Sequence, residues 1–127
     1  MSVSKLVQGH HGEEFAVSFL RHLGWQIIER NFRIRGGEID IIAIETDPTN
    51  EEKTLVFVEV KTRSSADFGE PLEAIGYYKI RALTRATQFY KLKHPHLPDL
   101  MRIDAVSVIV NESGQLLDIE LVKNISF

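Results

Sequence analysis

The sequence predicts an α/β fold in which helices pack against one mixed sheet. Two observations support this class: two segments have the periodicity of amphipathic helices, and the other segments are short apolar runs separated by turn-forming residues. The order along the chain is αβββαββ, which is typical of a sheet covered by helices. With 127 residues the chain can form one ordinary core, so we expect a single domain over residues 1–127.

The first helix is predicted over residues 12–24, with Gly24 as its natural end. The second helix is predicted over residues 71–93, with Pro71 in its first turn. Their apolar stripes consist of Phe15, Ala16, Phe19, Leu20 and Leu23 on the first helix and of Leu72, Ile75, Leu83, Ala86 and Tyr90 on the second. Strands are predicted at 25–35, 38–45, 54–62, 101–110 and 116–122.

Composition limits the class of protein. Apolar residues make up 43 % and charged residues 26 %, which excludes a disordered chain. The absence of cysteine excludes disulfides and thiolate metal sites. No apolar run is long enough to span a bilayer or to act as a secretion signal, so we expect a cytoplasmic protein without a membrane partner.

Charged residues interrupt the second and third predicted strands. If these strands form a hairpin with its turn centred between residues 49 and 50, Asp40 faces Glu59 and Glu38 faces Lys61. The Cβ atoms of such pairs are about 4.5–5.5 Å apart, and all four side chains would share one face of the sheet. The other face would carry Ile39, Ile41, Val58 and Val60.

This pattern has two interpretations. It is typical of any sheet with one solvated face, where Glu38 and Lys61 would form an ordinary ion pair. Opposed carboxylates such as Asp40 and Glu59, however, repel each other unless a proton or a cation lies between them. Oxygen ligands of this kind suit Mg²⁺, so the alternative is a metal site.

Each predicted helix directs a charge toward the sheet. Glu13 lies at the edge of the first apolar stripe, whereas Glu14 lies opposite that stripe, in solvent. Lys79 falls in the middle of the second stripe, where an unpaired ammonium group would be costly to bury. Its side chain either extends to solvent at the edge of the helix or crosses to a carboxylate or a substrate phosphate.

Several motifs in order resemble a known family. They are "GEEFAVSFL", "ERNFRIRGGEIDIIA", "VFVEVKTR", "FGEPLEAIGYYK" and "MRIDAVSVIV". The chain resembles the bacterial YraN-like endonucleases of the PD-(D/E)XK nuclease superfamily, which are akin to archaeal Holliday junction resolvases. The resemblance covers nearly everything after the first eight residues. It implies a restriction-endonuclease-like αβββαβ core, with a mixed central sheet flanked by helices.

The resemblance also implies a chemistry. Asp40 and Glu59 correspond to the metal-binding acids, Lys61 to the active-site lysine, Glu13 to the helix-one glutamate and Lys79 to the helix-two lysine. The implied reaction is hydrolysis of phosphodiester bonds in DNA, including branched or structured DNA, with Mg²⁺ or Mn²⁺ and without an organic cofactor. We expect the carbonyl of Val60 to be a third metal ligand. A homodimer is plausible because related resolvases cut two strands symmetrically.

Basic residues surround this region in sequence. They are Arg33, Arg35 and Arg63 next to the strands, and Lys79, Arg81 and Arg85 on the second helix. Such a set predicts a surface for a nucleic-acid backbone, although a solvated helix face has the same pattern. We expect Asp104 to be structural and to pair with Arg102.

Three other functions fit the sequence. The chain could be a catalytically silent nuclease fold that binds nucleic acid or a partner protein. It could be another metal hydrolase, with His10 and either Glu13 or Glu14 as ligands on one helix face. It could also be a purely structural domain, which the ordered set of motifs disfavours.

Overall fold

The computed structural model describes residues 5–34, 37–65 and 75–126, with side chains from residue 11 onward and without that of Ile34. Over these ranges the chain forms two helices and five strands: α1 (Lys5–His22), β1 (Gln26–Ile34), β2 (Gly37–Thr46), β3 (Lys53–Ser64), α2 (Tyr77–Lys93), β4 (Leu100–Val110) and β5 (Leu116–Val122). The predicted α/β class and the order αβββαββ are confirmed.

The strands form one mixed sheet in the order β1-β2-β3-β4-β5. β1, β2 and β3 are antiparallel neighbours, β3 and β4 are parallel, and β4 and β5 are antiparallel. Parallel strands need a crossover connection, and α2 lies in the connection from β3 to β4. This arrangement is consistent with a restriction-endonuclease-like core.

α1 and α2 pack on opposite faces of the sheet. α1 covers Val56 and Val58, whereas α2 covers Leu55 and Phe57. The buried helix residues in these two clusters are Ala16, Val17 and Leu20 on α1 and Leu83, Ala86 and Tyr90 on α2. Both faces of β3 are therefore buried, which is why its sequence is a nearly continuous apolar run.

α1 is longer than predicted, since it begins at Lys5 rather than at residue 12. Gly24, with φ of 92°, ends the helical segment as predicted, because glycine adopts this left-handed conformation readily. The prediction that Leu23 lies in the buried apolar stripe is wrong, because Leu23 follows the last helical residue and is 49 % exposed. Trp25 is buried in its place.

α2 begins later than predicted. Gly76 precedes the helix in an extended conformation, with φ of −88° and ψ of 179°, and Tyr77 is the first helical residue. Ile75 therefore lies outside the helix, and its place in the apolar stripe is wrong. Pro71 and Leu72 lie outside the described residues. Among the described residues, no helix combines the length and apolar character needed to cross a membrane.

Asp104 is fully buried in the sheet and is held by three hydrogen bonds. Arg102 donates to both of its carboxylate oxygens at 2.8 and 2.9 Å, and the backbone N–H of Asn124 donates to Oδ1 at 2.9 Å. Arg102 also forms an ion pair with Glu45 at 2.9 Å. The predicted pairing of Asp104 with Arg102 is confirmed, and the arrangement anchors β4 rather than the candidate site.

We predict that Arg102→Met lowers the free energy of unfolding by about 3–5 kcal/mol, because it leaves the Asp104 carboxylate buried without a counter-charge. Urea denaturation measures the change. The double variant Arg102→Met, Asp104→Asn should recover most of it. Lys123→Met, which removes only an exposed ion pair with Glu45, should cost less than about 1 kcal/mol. Equal losses in Arg102→Met and Lys123→Met would contradict this account.

Candidate active site

The hairpin of β2 and β3 brings the predicted acids together. Its ladder runs from the pair Thr46–Lys53 to the pair Ile41–Val58, which is the predicted register. Asp40 and Glu59 follow directly after the last of these pairs. There the backbone N–H of Val60 donates a hydrogen bond of 2.8 Å to Asp40 Oδ2. The Asp40 carboxylate is thus fixed by the backbone of the neighbouring strand.

β2 is irregular at Asp40, and this corrects part of the predicted face pattern. Ile41, Val58 and Val60 pack in the cluster under α1, as one shared face requires. Ile39 instead packs in the cluster under α2. In a regular strand, residues two apart share a face, so the strand must turn between Ile39 and Ile41.

Asn31 on β1 marks the same irregularity. The β1–β2 pairs Arg30–Ile41 and Phe32–Ile39 lie on either side of it, so Asn31 is opposite Asp40. Its φ is 54°, in the left-handed region that asparagine tolerates better than most residues do. The left-handed residue of β1 and the irregular position of β2 are thus opposite each other in the sheet.

Three carboxylates meet beside this point. Glu13 on α1 and Glu38 and Asp40 on β2 each have one oxygen within 4.8 Å of the others. We call these residues the acid cluster. The predicted orientation of Glu13 toward the sheet is confirmed, while Glu14 is 54 % exposed and pairs with Arg30 at 2.8 Å.

Gly12 allows α1 to approach β3 at this position. A Cβ atom on residue 12 would lie 1.8 Å from Oγ1 and 2.9 Å from Cβ of Thr62. The second distance involves an atom that side-chain rotation cannot move. A residue larger than glycine would therefore displace the helix and, with it, the neighbouring Glu13.

Glu59 contacts Asp40 on the side of α2. It is 5 % exposed, and when protonated it donates a side-chain hydrogen bond to Asp40. Lys79 Nζ lies 3.5 Å from Glu59 Oε1, so the predicted crossing of Lys79 to a carboxylate is confirmed. Glu59 Oε2 is buried and has no hydrogen-bond partner within the described ranges.

Burial and neighbouring charges raise the pKa of three acids of the site. Burial, followed by the charge of Asp40, raises the pKa of Glu59 to about 7, against the opposing effects of Lys79 and Lys61. Burial also raises the pKa of Asp40, although the Val60 hydrogen bond opposes the change. The pKa of Glu13 is raised by burial and by Asp40. Together these shifts mean that negative charge is costly here without a proton or a cation.

The residues fit a hard divalent cation. The acid cluster offers oxygen donors of like charge from two elements, and Glu59 adds a buried oxygen without a partner. Mg²⁺ and Mn²⁺ prefer such ligands. The predicted ligand set was Asp40, Glu59 and the Val60 carbonyl, and in the structure Asp40 belongs to the acid cluster while Glu59 contacts it from the side of Lys79.

The predicted basic residues differ in their surroundings. Arg33 pairs with Glu38 at 3.2 Å, and Arg81 and Arg85 are exposed on α2. Arg63 is half-buried on β3, and Arg35 lies outside the described residues. The side chain of His10, the alternative metal ligand, also lies outside them.

The sequence alone does not indicate Gly12 or Asn31, because neither residue type signals a site without its tertiary neighbours.

Comparison with known proteins gives a family and close relatives of similar length. Residues 12–108 match the model of "Uncharacterised protein family UPF0102". The UPF0102 protein of Caldicellulosiruptor saccharolyticus is 43 % identical over 122 residues, covering 96 % of this chain and 98 % of the relative. The UPF0102 protein of Geobacter metallireducens is 40 % identical, covering 98 % and 95 %, and that of Desulforamulus reducens is 38 % identical, covering 98 % of both.

We predict that Glu59→Gln changes the pH dependence of stability in metal-free buffer. Because the pKa of Glu59 is higher in the folded than in the unfolded protein, stability falls as pH rises from about 4.5 through about 7. One pKa unit corresponds to about 1.4 kcal/mol, so the full shift from 4.5 to about 7 amounts to at most about 3–4 kcal/mol. Urea unfolding in EDTA between pH 5 and 8 should show the variant gaining on the wild type as pH rises. Glu112→Gln, in an exposed turn, is the control, and parallel curves for wild type and Glu59→Gln would refute the prediction.

We predict that Gly12→Ala lowers the free energy of unfolding by about 1–3 kcal/mol, since the added methyl group overpacks the contact between α1 and Thr62. Chemical denaturation measures the loss. A second substitution, Thr62→Ala, removes the atoms at 1.8 and 3.1 Å and should restore part of the stability. A Gly12→Ala variant as stable as the wild type would show that α1 is not held at this distance.

Proposed function

Since the chain belongs to the uncharacterised protein family UPF0102, whose description states no activity, we propose its function from the site itself: a metal-dependent endonuclease that hydrolyses phosphodiester bonds in DNA. One observation carries the proposal. The carboxylates of Glu13, Glu38 and Asp40 meet where the β2–β3 ladder ends, Glu59 contacts Asp40 there, and Lys79 contacts Glu59 from α2. The motifs that this chain shares, in the same order, with YraN-like nucleases support the same reaction.

The residues proposed to hold a divalent ion, Mg²⁺ or Mn²⁺, are Asp40 with Glu13 and Glu38, and Glu59 next to them. The Val60 carbonyl remains a further proposed ligand. When bound, such an ion makes a water molecule more acidic and polarises a phosphate oxygen. No organic cofactor is needed for this chemistry.

Two lysines of the chain would act on the phosphate. Lys61 is close enough to affect Glu59 electrostatically, and we assign to it the stabilisation of charge on the phosphoryl oxygens in the transition state. Lys79 holds Glu59 at 3.5 Å and is 41 % exposed, so its ammonium group can also face a phosphate that enters from solvent. In this proposal the buried Glu59 lies beside Lys79 when no substrate is bound, and beside the divalent ion and Lys79 when substrate is bound.

The exposed guanidinium groups of Arg81 and Arg85 lie on the same helix as Lys79 and would contact the sugar–phosphate backbone. Arg33, Arg35 and Arg63 complete the proposed nucleic-acid surface. Contacts of this kind recognise the shape and charge of DNA rather than its bases. Because the chain resembles resolvases, we also propose that its substrate is branched or structured DNA and that it acts as a homodimer.

A second function is favoured by a specific observation: within the described ranges, three of the four acids, all except Asp40, have cationic partners. Lys79 pairs with Glu59, Arg33 with Glu38, and Arg30 lies 3.9 Å from Glu13. Such pairs would hold the site together without a metal. The chain would then be a catalytically silent nuclease fold that binds nucleic acid or a partner protein.

We predict metal-dependent cleavage of DNA that is lost in Asp40→Asn and in Lys61→Met. The test incubates purified protein with labelled duplex, single-stranded, flapped and four-way DNA in Mg²⁺, Mn²⁺ or EDTA. Asn at position 40 retains an oxygen that can accept from Val60, so the variant removes the charge with little effect on the fold. Lys53→Met, at the opposite, exposed end of β3, is the matched control and should cleave as the wild type does. DNA binding that persists in both site variants without any cleavage would support the silent module instead.

A further inference from the structure

The side-chain amide of Asn31 lies directly against the acid cluster. With its nitrogen turned toward the carboxylates, it donates to Glu13 Oε2 at 3.0 Å, to Glu13 Oε1 at 3.2 Å and to Glu38 Oε1 at 3.2 Å. It therefore bridges α1 and β2 at the point where their negative charges meet. A neutral amide offers two N–H donors on one side and an acceptor oxygen on the other.

The Asn31 amide can also be turned so that its oxygen, rather than its nitrogen, faces the carboxylates, and this orientation suits a bound cation. A half-turn of the amide places Oδ1 where the nitrogen was, 3.0–3.2 Å from carboxylate oxygens. Without a cation such a contact between acceptors is repulsive. Around Mg²⁺ or Mn²⁺, adjacent ligand oxygens of an octahedral shell lie about 2.9 Å apart, which is close to these distances.

A second feature of the site indicates a ligand. Glu59 is only 5 % exposed and contacts Asp40 of the acid cluster, and its buried Oε2 has no hydrogen-bond partner among the described residues. The left-handed backbone of Asn31 lies opposite Asp40 in the pairing of β1 with β2. The Asn31 amide on β1 and the unpartnered Glu59 oxygen on β3 thus belong to residues on either side of Asp40, a member of the acid cluster.

We propose that Asn31 is a ligand of the divalent cation, offering Oδ1 when the cation is bound and donating from its nitrogen to Glu13 and Glu38 when it is absent. The inference rests on the cation site of the proposed function and adds a residue to it. It makes Asn31 a positioning residue in the metal-free protein and a direct ligand in the loaded one.

The test is the binding of Mn²⁺, measured by calorimetry and by electron paramagnetic resonance, together with the melting temperature in EDTA. Asn31→Gly removes the amide without backbone strain at φ of 54°, and it should bind Mn²⁺ about tenfold more weakly. Asn31→Asp adds a charged oxygen ligand and should bind about tenfold more tightly. In EDTA both variants should melt below the wild type, with Asn31→Asp lowest because it adds a fourth like charge.

Asn124→Gly is the matched control, since Asn124 is exposed, has φ of 58° and lies on the segment after β5. Unchanged Mn²⁺ affinity in both Asn31 variants would refute the role of Asn31 while leaving the cation site intact. A wild type that binds no Mn²⁺ would instead overturn the cation site itself, and the role of Asn31 with it. Weaker binding in Asn31→Gly and tighter binding in Asn31→Asp would establish the proposal.

Discussion

Mutual repulsion among the carboxylates of Glu13, Glu38, Asp40 and Glu59 is the constraint to which the surrounding structure responds. Burial is the largest cause of the raised pKa values of Glu13, Asp40 and Glu59, and the charge of a neighbouring carboxylate raises each of them further. Groups from different elements oppose it: a backbone N–H from β3, an amide from β1, and ammonium and guanidinium groups from α2 and β1. The packing of both helices on the sheet therefore depends partly on electrostatics and not on apolar contact alone.

The position of the site in the sheet explains how this repulsion is tolerated. β3 is central and is buried on both faces up to Val58, and the carboxylates begin where its antiparallel ladder with β2 ends. The two apolar clusters extend past that point, with Ile39 in one and Val60 in the other, so the strands are packed on both sides of it. Functional groups on rigid strands keep their geometry despite an unfavourable local free energy, which apolar burial elsewhere offsets.

Much of this arrangement could be predicted from the sequence, because it depends on periodicity. The register of the β2–β3 hairpin follows from the turn, and the orientations of Glu13 and Lys79 follow from helical geometry. The irregularity at Asp40 could not be predicted, because it breaks the alternation on which the prediction relied. Regular strand alternation predicts that Ile39 and Ile41 share one face of the sheet, and this is wrong. The role of Gly12 depends on the distance between α1 and Thr62, which no local pattern encodes.

The acids of the site differ in whether their partners can be exchanged. Asp40 accepts from a backbone N–H of the sheet, which cannot move away without unpairing a strand. Glu59 and Glu38 are instead neutralised by long side chains, of which Lys79 is 41 % and Arg33 is 78 % exposed. Arg33 can change partners at little cost because its pair with Glu38 is exposed to solvent, whereas the buried Glu59 needs another cation when Lys79 leaves it. A ligand entering the site would thus meet the fixed Asp40 carboxylate, Glu38, whose partner can leave, and Glu59, whose partner can leave once a cation replaces it. An enzyme requires that exchange, whereas a silent module would retain the ion pairs, so the two proposed functions differ in what these side chains do when a ligand arrives.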